Sequence, residues 1–429
     1  MIVKVIGAGL AGVEAANYLA NKRIPVILYE MKPIKFSEAH KQEGFAELIC
    51  SNSFKSTDEF SATGMLKREM SELGSIVMEA AYSCQTPAGN SLSVDRLLFS
   101  KYITDKLANN PLITIKREEI IELSDDDICI IATGPLTSDS FHEFLMNKLG
   151  HHQLHFYDAV APIVDASTID YSKVFYKSRY DKGTPDFLNC PMTSEDFDAF
   201  YQELIAAKTA KLHDVDAKVF EACMPIEVLA KRGKEAITFG PMKPVGLEND
   251  GKRYKAVVQL RIDDINQTAY NLVGFQTNLT FPEQKRVFSL IPGLENSSFF
   301  RYGVMHRNTY IESPKLINQF YQLKSNPNWF FAGQMTGVEG YLESASSGLL
   351  AAIYLYKYIN NSPLLQVSNN TIMGALANYV STSNKSFVPM NANLGIIPYV
   401  DIKNKKERSK AYASRSLADI MSFKKEIDE

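Results

Sequence analysis

Two cysteines lie in settings that suit a nucleophile. Cys50 closes the apolar run of "FAELICSNSFKS" and is followed at once by Ser51, Asn52 and Ser53. Cys223 stands in "FEACMPIEVLAKRG", just before Met224 and Pro225. The residue before a proline is biased away from helix, which puts this second thiol near a turn. Lys231, Arg232 and Lys234 follow it, and cationic neighbours favour the thiolate, the form that attacks. An ordinary thiol, with a pKa of about 8.5, is mostly protonated at neutral pH, so a catalytic one needs such help or a base. The competing reading is burial as a small hydrophobe, because free cysteine is among the most buried residue types.

The other three cysteines fit plainer roles. Cys129 lies inside an apolar strand pattern and reads as packed core, Cys190 in "LNCPMT" reads as packing, and Cys84 falls in a loop-like stretch with no role assigned. Five cysteines at wide spacing, with no CxxC, argue against a disulfide framework, a zinc ribbon and a redox dithiol, so no metal site is expected.

A second kind of chemistry is written at the start of the chain. Residues 2–6, "IVKVI", read as a strand; "GAGLAG" (Gly7 to Gly12) follows and opens an alanine-rich helix to about Asn21, and "PVILYE" ends a second strand at Glu30. Strand, glycine turn, helix, strand and acid together bind a dinucleotide. Gly7 permits the tight turn, Gly9 lets the backbone approach the pyrophosphate, and Gly12 lets helix and strand pack closely. Ala8, Leu10 and Ala11 complete the loop at the helix N-terminus, where free N–H groups and partial positive charge meet the phosphates, and Glu30 can accept from a ribose diol. Two later segments favour FAD over NAD as the bound nucleotide. "DICIIATGPLTS" runs a strand into Ala132, Thr133 and Gly134, and "NWFFAGQMTGVEGYLESASSG" runs another into Gly333, Gln334, Met335, Thr336 and Gly337 before a helix. A molecule as long as FAD needs such a second contact near its flavin.

These elements imply an α/β fold with a Rossmann-type, glutathione-reductase-like FAD-binding domain and an α+β insertion domain. The expected limits are 1–175 for the first part of the FAD domain, 176–320 for the insertion, and 321–429 for the second part with a C-terminal helix. Within the insertion, "PMTSEDFDAFYQELIAAKTAKL" reads as a helix with a capping-box start at Thr193 or Ser194, while "YKAVVQLRIDD" and "AYNLVGF" read as strands. At 429 residues, 45% hydrophobic and 22% charged, the chain is an ordinary globular one. No apolar run reaches the roughly 20 residues of a membrane span, and "MIVKVIGAGLAG" lacks the basic start of a signal peptide, which predicts a cytoplasmic protein with no membrane partner. A net charge of −3 means that any RNA must be met by a local basic patch, for which "KNKKERSKAYASRS" is one place.

In order from residue 2 to about 410, the segments "VIGAGLAGVEAA", "AELICSNSFKS", "TPAGNSLSVDR", "IATGPLTS", "LNCPMTSEDFDAFY", "CMPIEVLAKRG", "FGPMKPVGL", "RYGVMHRNTYI", "FFAGQMTGVEGYLESASSGL" and "PMNANLGIIP" resemble the folate- and FAD-dependent tRNA (uracil-5-)-methyltransferases, the TrmFO or Gid family. The resemblance implies an enzyme in which reduced FAD passes the methylene of methylenetetrahydrofolate to carbon 5 of a uridine, with NADH or NADPH as reductant. It also implies that Cys50 and Cys223 divide the work of attacking carbon 6 and removing the carbon 5 proton. Uridine 54 of the tRNA T loop is the target it implies first. A uridine of 23S ribosomal RNA is the alternative, which an AT-biased composition rich in Lys, Asn and Ile favours. A small-molecule flavin oxidoreductase and a non-catalytic FAD-binding RNA protein are rival classes. Departures from the family pattern are Lys41 after His40, Ala222 before Cys223, and "STDEFSATGMLKREM" after Cys50. They touch neither the glycine loops nor the cysteines, and they leave open which RNA is read.

Overall fold

A computed structural model describes residues 1–37, 39–150, 153–159, 161–210, 224–382 and 387–428, leaving aside the side chains of 153–159, 305–307 and 309. Strand β1 (Val3–Ile6) has Val3, Val5 and Ile6 fully or almost fully buried, as a central parallel strand covered on both faces requires. Helix α1 (Leu10–Asn21) then runs back along the sheet, with residues 10 to 20 all buried. Its small side chains allow this. A Cβ on Gly348 of helix Tyr341–Ile359 would stand 2.1 Å from the Ala11 carbonyl oxygen, so the two helices approach as backbones.

The parallel sheet has the order Trp329–Phe331, Cys129–Ile131, β1, β2 (Val26–Tyr29), Ile113–Lys116. The chain adds strands on one side of β1 and then returns to its other side. That reversal lies between β1 and Cys129–Ile131, and beyond the carboxyl ends of those two strands it leaves a crevice where open α/β sheets bind ligands.

A second, six-stranded antiparallel sheet has the order Phe175–Tyr176, Phe187–Met192, Ala256–Ile262, Ala269–Leu272, Ile163–Asp165, Phe299–Arg301. Its own core includes Leu188, Phe197, Phe200, Val258, Leu260 and Phe288, separate from the core under the parallel sheet. The antiparallel pair Gln153–Ala159 and Met305–Ile311 carries the chain into and out of this layer. The limit expected at 175/176 therefore needs correction. It would split Ile163–Asp165 and the core residues Val164 and Ile169 from the sheet they pair with. The limit expected at 320/321 shifts likewise, because Tyr310 and Ile317 pack in the first core.

The expected helix start in this layer is present. Thr193 accepts from the Asp196 N–H at 3.1 Å, and the Asp196 carboxylate accepts from the Thr193 N–H at 3.0 Å, which caps helix Ser194–Ala206. The C-terminal helix Lys405–Asp428 lays Tyr412, Ser416, Ile420 and Phe423 inward against helix Ala62–Glu72.

One buried acid gives the fold a pH signature. Burial pushes the Glu14 carboxyl up from 4.5 to about 7, against hydrogen bonds from Ser75, Val77 and Ile76. An acid that holds its proton more tightly folded than unfolded adds stability that is complete below 4.5 and gone above about 7. The full effect is on the order of 3 kcal/mol. The Tm of the wild type is expected to fall between pH 4.5 and 7 more steeply than that of Glu14→Gln. Parallel Tm profiles of the two proteins would refute this.

Candidate active site

Gly7 makes the turn after β1 with φ +96°, its N–H donating to the Tyr29 carbonyl at 2.8 Å. A side chain there would also strike Ala132, whose carbonyl oxygen lies 2.6 Å from the Cβ position. Gly12 is tighter still, with the Gly7 carbonyl oxygen 1.8 Å from its Cβ position. Gly9 differs from both, because no atom lies within 4 Å of where its Cβ would be. It borders a cleft of about 1070 Å³, counted to open solvent, at the switch point of the sheet. No side chain caps the N-terminus of α1 and no acidic residue stands in its first turn, so its N–H groups remain for an anion. Glu30 is buried at the end of β2, its carboxylate accepting from the Ala8 and Lys32 N–H groups at 3.1 and 3.0 Å. An open glycine cradle, a bare helix start and a fixed carboxylate fit a dinucleotide.

Gly7, Ala8, Gly9, Leu10, Ala11, Glu30, Ala132, Thr133, Gly134, Gly333 and Gln334 all line this one cleft, although they come from three distant parts of the chain. Gly12, Met335, Thr336 and Gly337 stand behind it. Met335 and Thr336 are buried, the Thr336 hydroxyl donates to the Gly333 carbonyl at 2.8 Å, and Gly337 backs onto Phe387. They shape the loop without facing the cleft. Sequence patterns did not point to Lys32 and Glu47, a buried ion pair at 3.3 Å on the cleft wall. Glu47 also accepts from the Lys41 and Gln42 N–H groups, which closes the 41–47 segment into a loop. His40, another lining residue, is bonded to Ser37 at 2.6 Å, and burial together with Lys32 lowers its pKa to about 3. It is therefore neutral at physiological pH.

Tyr341 and Ser344, at the start of helix Tyr341–Ile359, also line the cleft. The Tyr341 hydroxyl accepts from the Cys50 N–H at 2.8 Å and from the Ser51 N–H at 3.1 Å. Burial and then Cys50 raise the pKa of that hydroxyl, which keeps it a neutral phenol. Cys50 itself is half-buried, whereas Cys84, Cys129 and Cys190 are buried. Burial pushes each of those three thiols up in pKa. Cys84 closes helix Ile76–Ser83 rather than lying in an open loop. Cys223 lies outside the described residues. Of the cations that follow it, Lys234 is engaged by Asp198 at 2.5 Å.

The Cys50 loop is clasped by residues from both layers. Asn52, fully buried, donates to the Val94 and Ile262 carbonyls at 3.0 Å each and accepts from Arg261 Nε at 3.0 Å. Arg261 also donates to the Ser51 hydroxyl at 2.7 Å, and Arg301 donates to the Ile49 carbonyl. Arg96 donates to Asp263 at 3.0 Å and to the Leu48 carbonyl at 2.5 Å. The loop that carries the Cys50 thiol is thus held by guanidinium groups, and its residue Ile49 lies on the cleft wall.

The family model described as glucose inhibited division protein A matches residues 2–363. Proteins of Lactobacillus delbrueckii subsp. bulgaricus and Bacillus subtilis are each 52% identical over 99% of this chain, and over 98% and 99% of their own lengths. The chain belongs to the GidA family. Both relatives carry the name methylenetetrahydrofolate--tRNA-(uracil-5-)-methyltransferase TrmFO. Among solved structures, Aquifex aeolicus GidA superposes with a TM-score of 0.73 at 16% identity, covering 99% of this chain and 73% of that one, which supports the α/β fold. In this GidA-family chain the arginines around Cys50 had one available sequence signal. Arg261 interrupts the apolar run "AVVQLRI", where a lone cation in a buried strand asks for a buried partner.

Proposed function

We propose that this protein is an FAD-dependent RNA methyltransferase that makes 5-methyluridine. Methylenetetrahydrofolate is the one-carbon donor, NADH or NADPH the reductant, and tRNA the substrate, with uridine 54 as the target. The observation that supports this reading is Tyr341: it lines the cleft and accepts, through its hydroxyl, from the backbone N–H of Cys50, next to Ile49 on the cleft wall. Both relatives of known name act on tRNA with methylenetetrahydrofolate by that name.

In this reading Gly7, Ala8, Gly9, Leu10, Ala11, Ala132, Thr133, Gly134, Gly333 and Gln334 hold FAD, Glu30 takes the ribose diol, and Gly12 keeps α1 close to β1. When bound, reduced FAD supplies the one-carbon transfer to carbon 5 of the uracil. Uracil carbon 5 is a weak nucleophile, and addition of the Cys50 thiolate to carbon 6 makes it an enolate carbon. Tyr341 and Asn52 fix the loop that aims this thiol, and Cys223 is the group that removes the carbon 5 proton. The insertion, running from about 161 to 303 by its sheet and core, meets the RNA. Among the described residues no helix is long and apolar enough to cross a membrane.

The test is to incubate the purified protein with NADH, methylenetetrahydrofolate and either unmodified tRNA or a 23S fragment, and to analyse nucleosides. The tRNA is expected to gain 5-methyluridine at position 54. Product only in the 23S fragment would move the target, and product in neither RNA with the flavin fully reducible would refute the reading.

A further inference from the structure

Between residues 403 and 415 the chain sets Lys403, Lys405, Lys406, Arg408, Lys410 and Arg415 against one acid, Glu407, although its net charge as a whole is −3. Side chains and backbone fix this surface. Arg415 donates to the Pro398 carbonyl at 2.6 Å, Arg408 to the Ile402 carbonyl at 3.2 Å and to the Tyr399 hydroxyl at 3.1 Å, and the Val400 N–H to the Tyr412 hydroxyl at 3.3 Å. Tyr399 is 67% exposed, with the Arg408 guanidinium 5.4 Å from its ring centroid. Glu407 is taken by Lys410 at 3.3 Å, and none of the exposed Lys403, Lys405 and Lys406 has a carboxylate partner among the described residues.

These lysines do not serve the fold. Lys405 and Lys406 open helix Lys405–Asp428 at its partially positive end, where cations destabilise and acids stabilise. Burial does not offset that cost, because the buried residues of the helix begin only at Tyr412. Its apolar side is committed to helix Ala62–Glu72 rather than to a bilayer. Exposed ammonium groups beside an exposed aromatic ring suit RNA instead: phosphates pair with the cations and an unpaired base stacks on the ring. The surface also lies within reach of the cleft. Ser416 donates to Glu69 and Lys424 lies 3.8 Å from Glu72, so the two helices run parallel, and the cationic start lies at the end where Ala62–Glu72 follows strand Ser53–Ser56. On the approach to Tyr399, the Ala392 N–H donates at 2.8 Å to Glu343, whose neighbour Ser344 lines the cleft.

We propose that Tyr399, Lys403, Lys405 and Lys406 form an RNA-docking surface outside the cleft, the lysines holding phosphates that flank the target uridine and Tyr399 stacking an unpaired base. This rests on the reading of RNA as the substrate. It gives the C-terminal segment a share of the RNA contact beside that of the insertion.

The test is the anisotropy of labelled unmodified tRNA, and of the labelled 23S fragment, titrated with the FAD-bound protein in the absence of folate and NADH. With Lys403→Gln, Lys405→Gln and Lys406→Gln combined, RNA affinity is expected to fall roughly 30-fold at about 0.1 M salt, and the logarithmic salt slope to shrink by about two. Flavin content and kcat at saturating RNA should match wild type, and the Tm should be equal or higher, since like charge leaves the positive end of the helix. The corresponding triple arginine variant should keep the wild-type slope. Tyr399→Ala is expected to weaken binding about tenfold at an unchanged slope, and Tyr399→Phe to restore it. A triple glutamine variant within about threefold of wild-type affinity, at the wild-type slope, overturns the surface and leaves the proposed function standing. If that variant instead loses only a wild-type cosedimentation with phosphatidylserine vesicles, the surface belongs to a membrane and the proposal is equally overturned. Wild type that binds neither RNA refutes both readings, whereas wild type that binds without methylating refutes the proposed function alone.

Discussion

Cys50→Ala is expected to purify as a folded yellow protein that makes no 5-methyluridine. The two hydrogen bonds that tie this loop to Tyr341 come from the backbone N–H groups of residues 50 and 51, so alanine retains both. The Cys50 side chain does not line the nucleotide cleft, and it is only half-buried, so its removal leaves little cavity. The chemistry is a different matter. Without the sulfur, carbon 6 has no attacking group and carbon 5 never becomes enolate-like, and activity is expected below about one-thousandth of wild type. A uridine carrying fluorine at carbon 5 sharpens the result, because the thioether to carbon 6 cannot then be released by loss of a proton. Wild type should form a denaturant-stable RNA adduct with it and Cys50→Ala none. A variant that methylates within about tenfold of wild type would remove Cys50 from the mechanism. A methylation-dead variant that still forms the adduct would assign the attack to another residue.

What could be read in advance follows from how local each feature is. The glycine turn, α1 and Glu30 lie within one βαβ unit, so residue spacing alone carries their geometry. The cap at Thr193 is equally local, closed by a residue three positions on. The clasp around Cys50 is not. Arg261 and Arg301 reach it across more than 200 residues, through the pairing of the second sheet, and no spacing rule spans that distance. The same sheet defeated the expected limit at 175/176. Ile163–Asp165 is a three-residue strand whose membership is decided by its partners Ala269–Asn271 and Phe299–Arg301, not by a pattern of its own. Gly337 shows the same limit: it looks like a cofactor contact in sequence, and only the fold adds that its φ of +85° serves a turn that packs against Phe387.

Gly9→Val separates what the glycine loop does for the fold from what it does for the cofactor. Gly9 has φ −72° and ψ −175°, an extended conformation open to any residue, and its Cβ position is clear of protein atoms by 4 Å. Valine should therefore cost the apoprotein almost nothing, and its Tm should match that of wild-type apoprotein. The added methyl groups stand in the cleft at the N-terminus of α1, where the pyrophosphate must approach the backbone to accept its hydrogen bonds. Losing one or two such bonds to a charged group is worth about 3 kcal/mol, so FAD affinity is expected to fall by roughly 100-fold or more and the protein to purify colourless. Gly12→Val should behave in the opposite order. Its Cβ would lie 1.8 Å from the Gly7 carbonyl oxygen, a backbone atom that cannot swing aside, so the apoprotein itself should be destabilised. Flavin absorbance of each purified variant and melting of the apo forms distinguish the two. A Gly9→Val protein with wild-type flavin content would mean that the pyrophosphate does not lie over this turn, and the assignment of the whole cleft to FAD would fall with it.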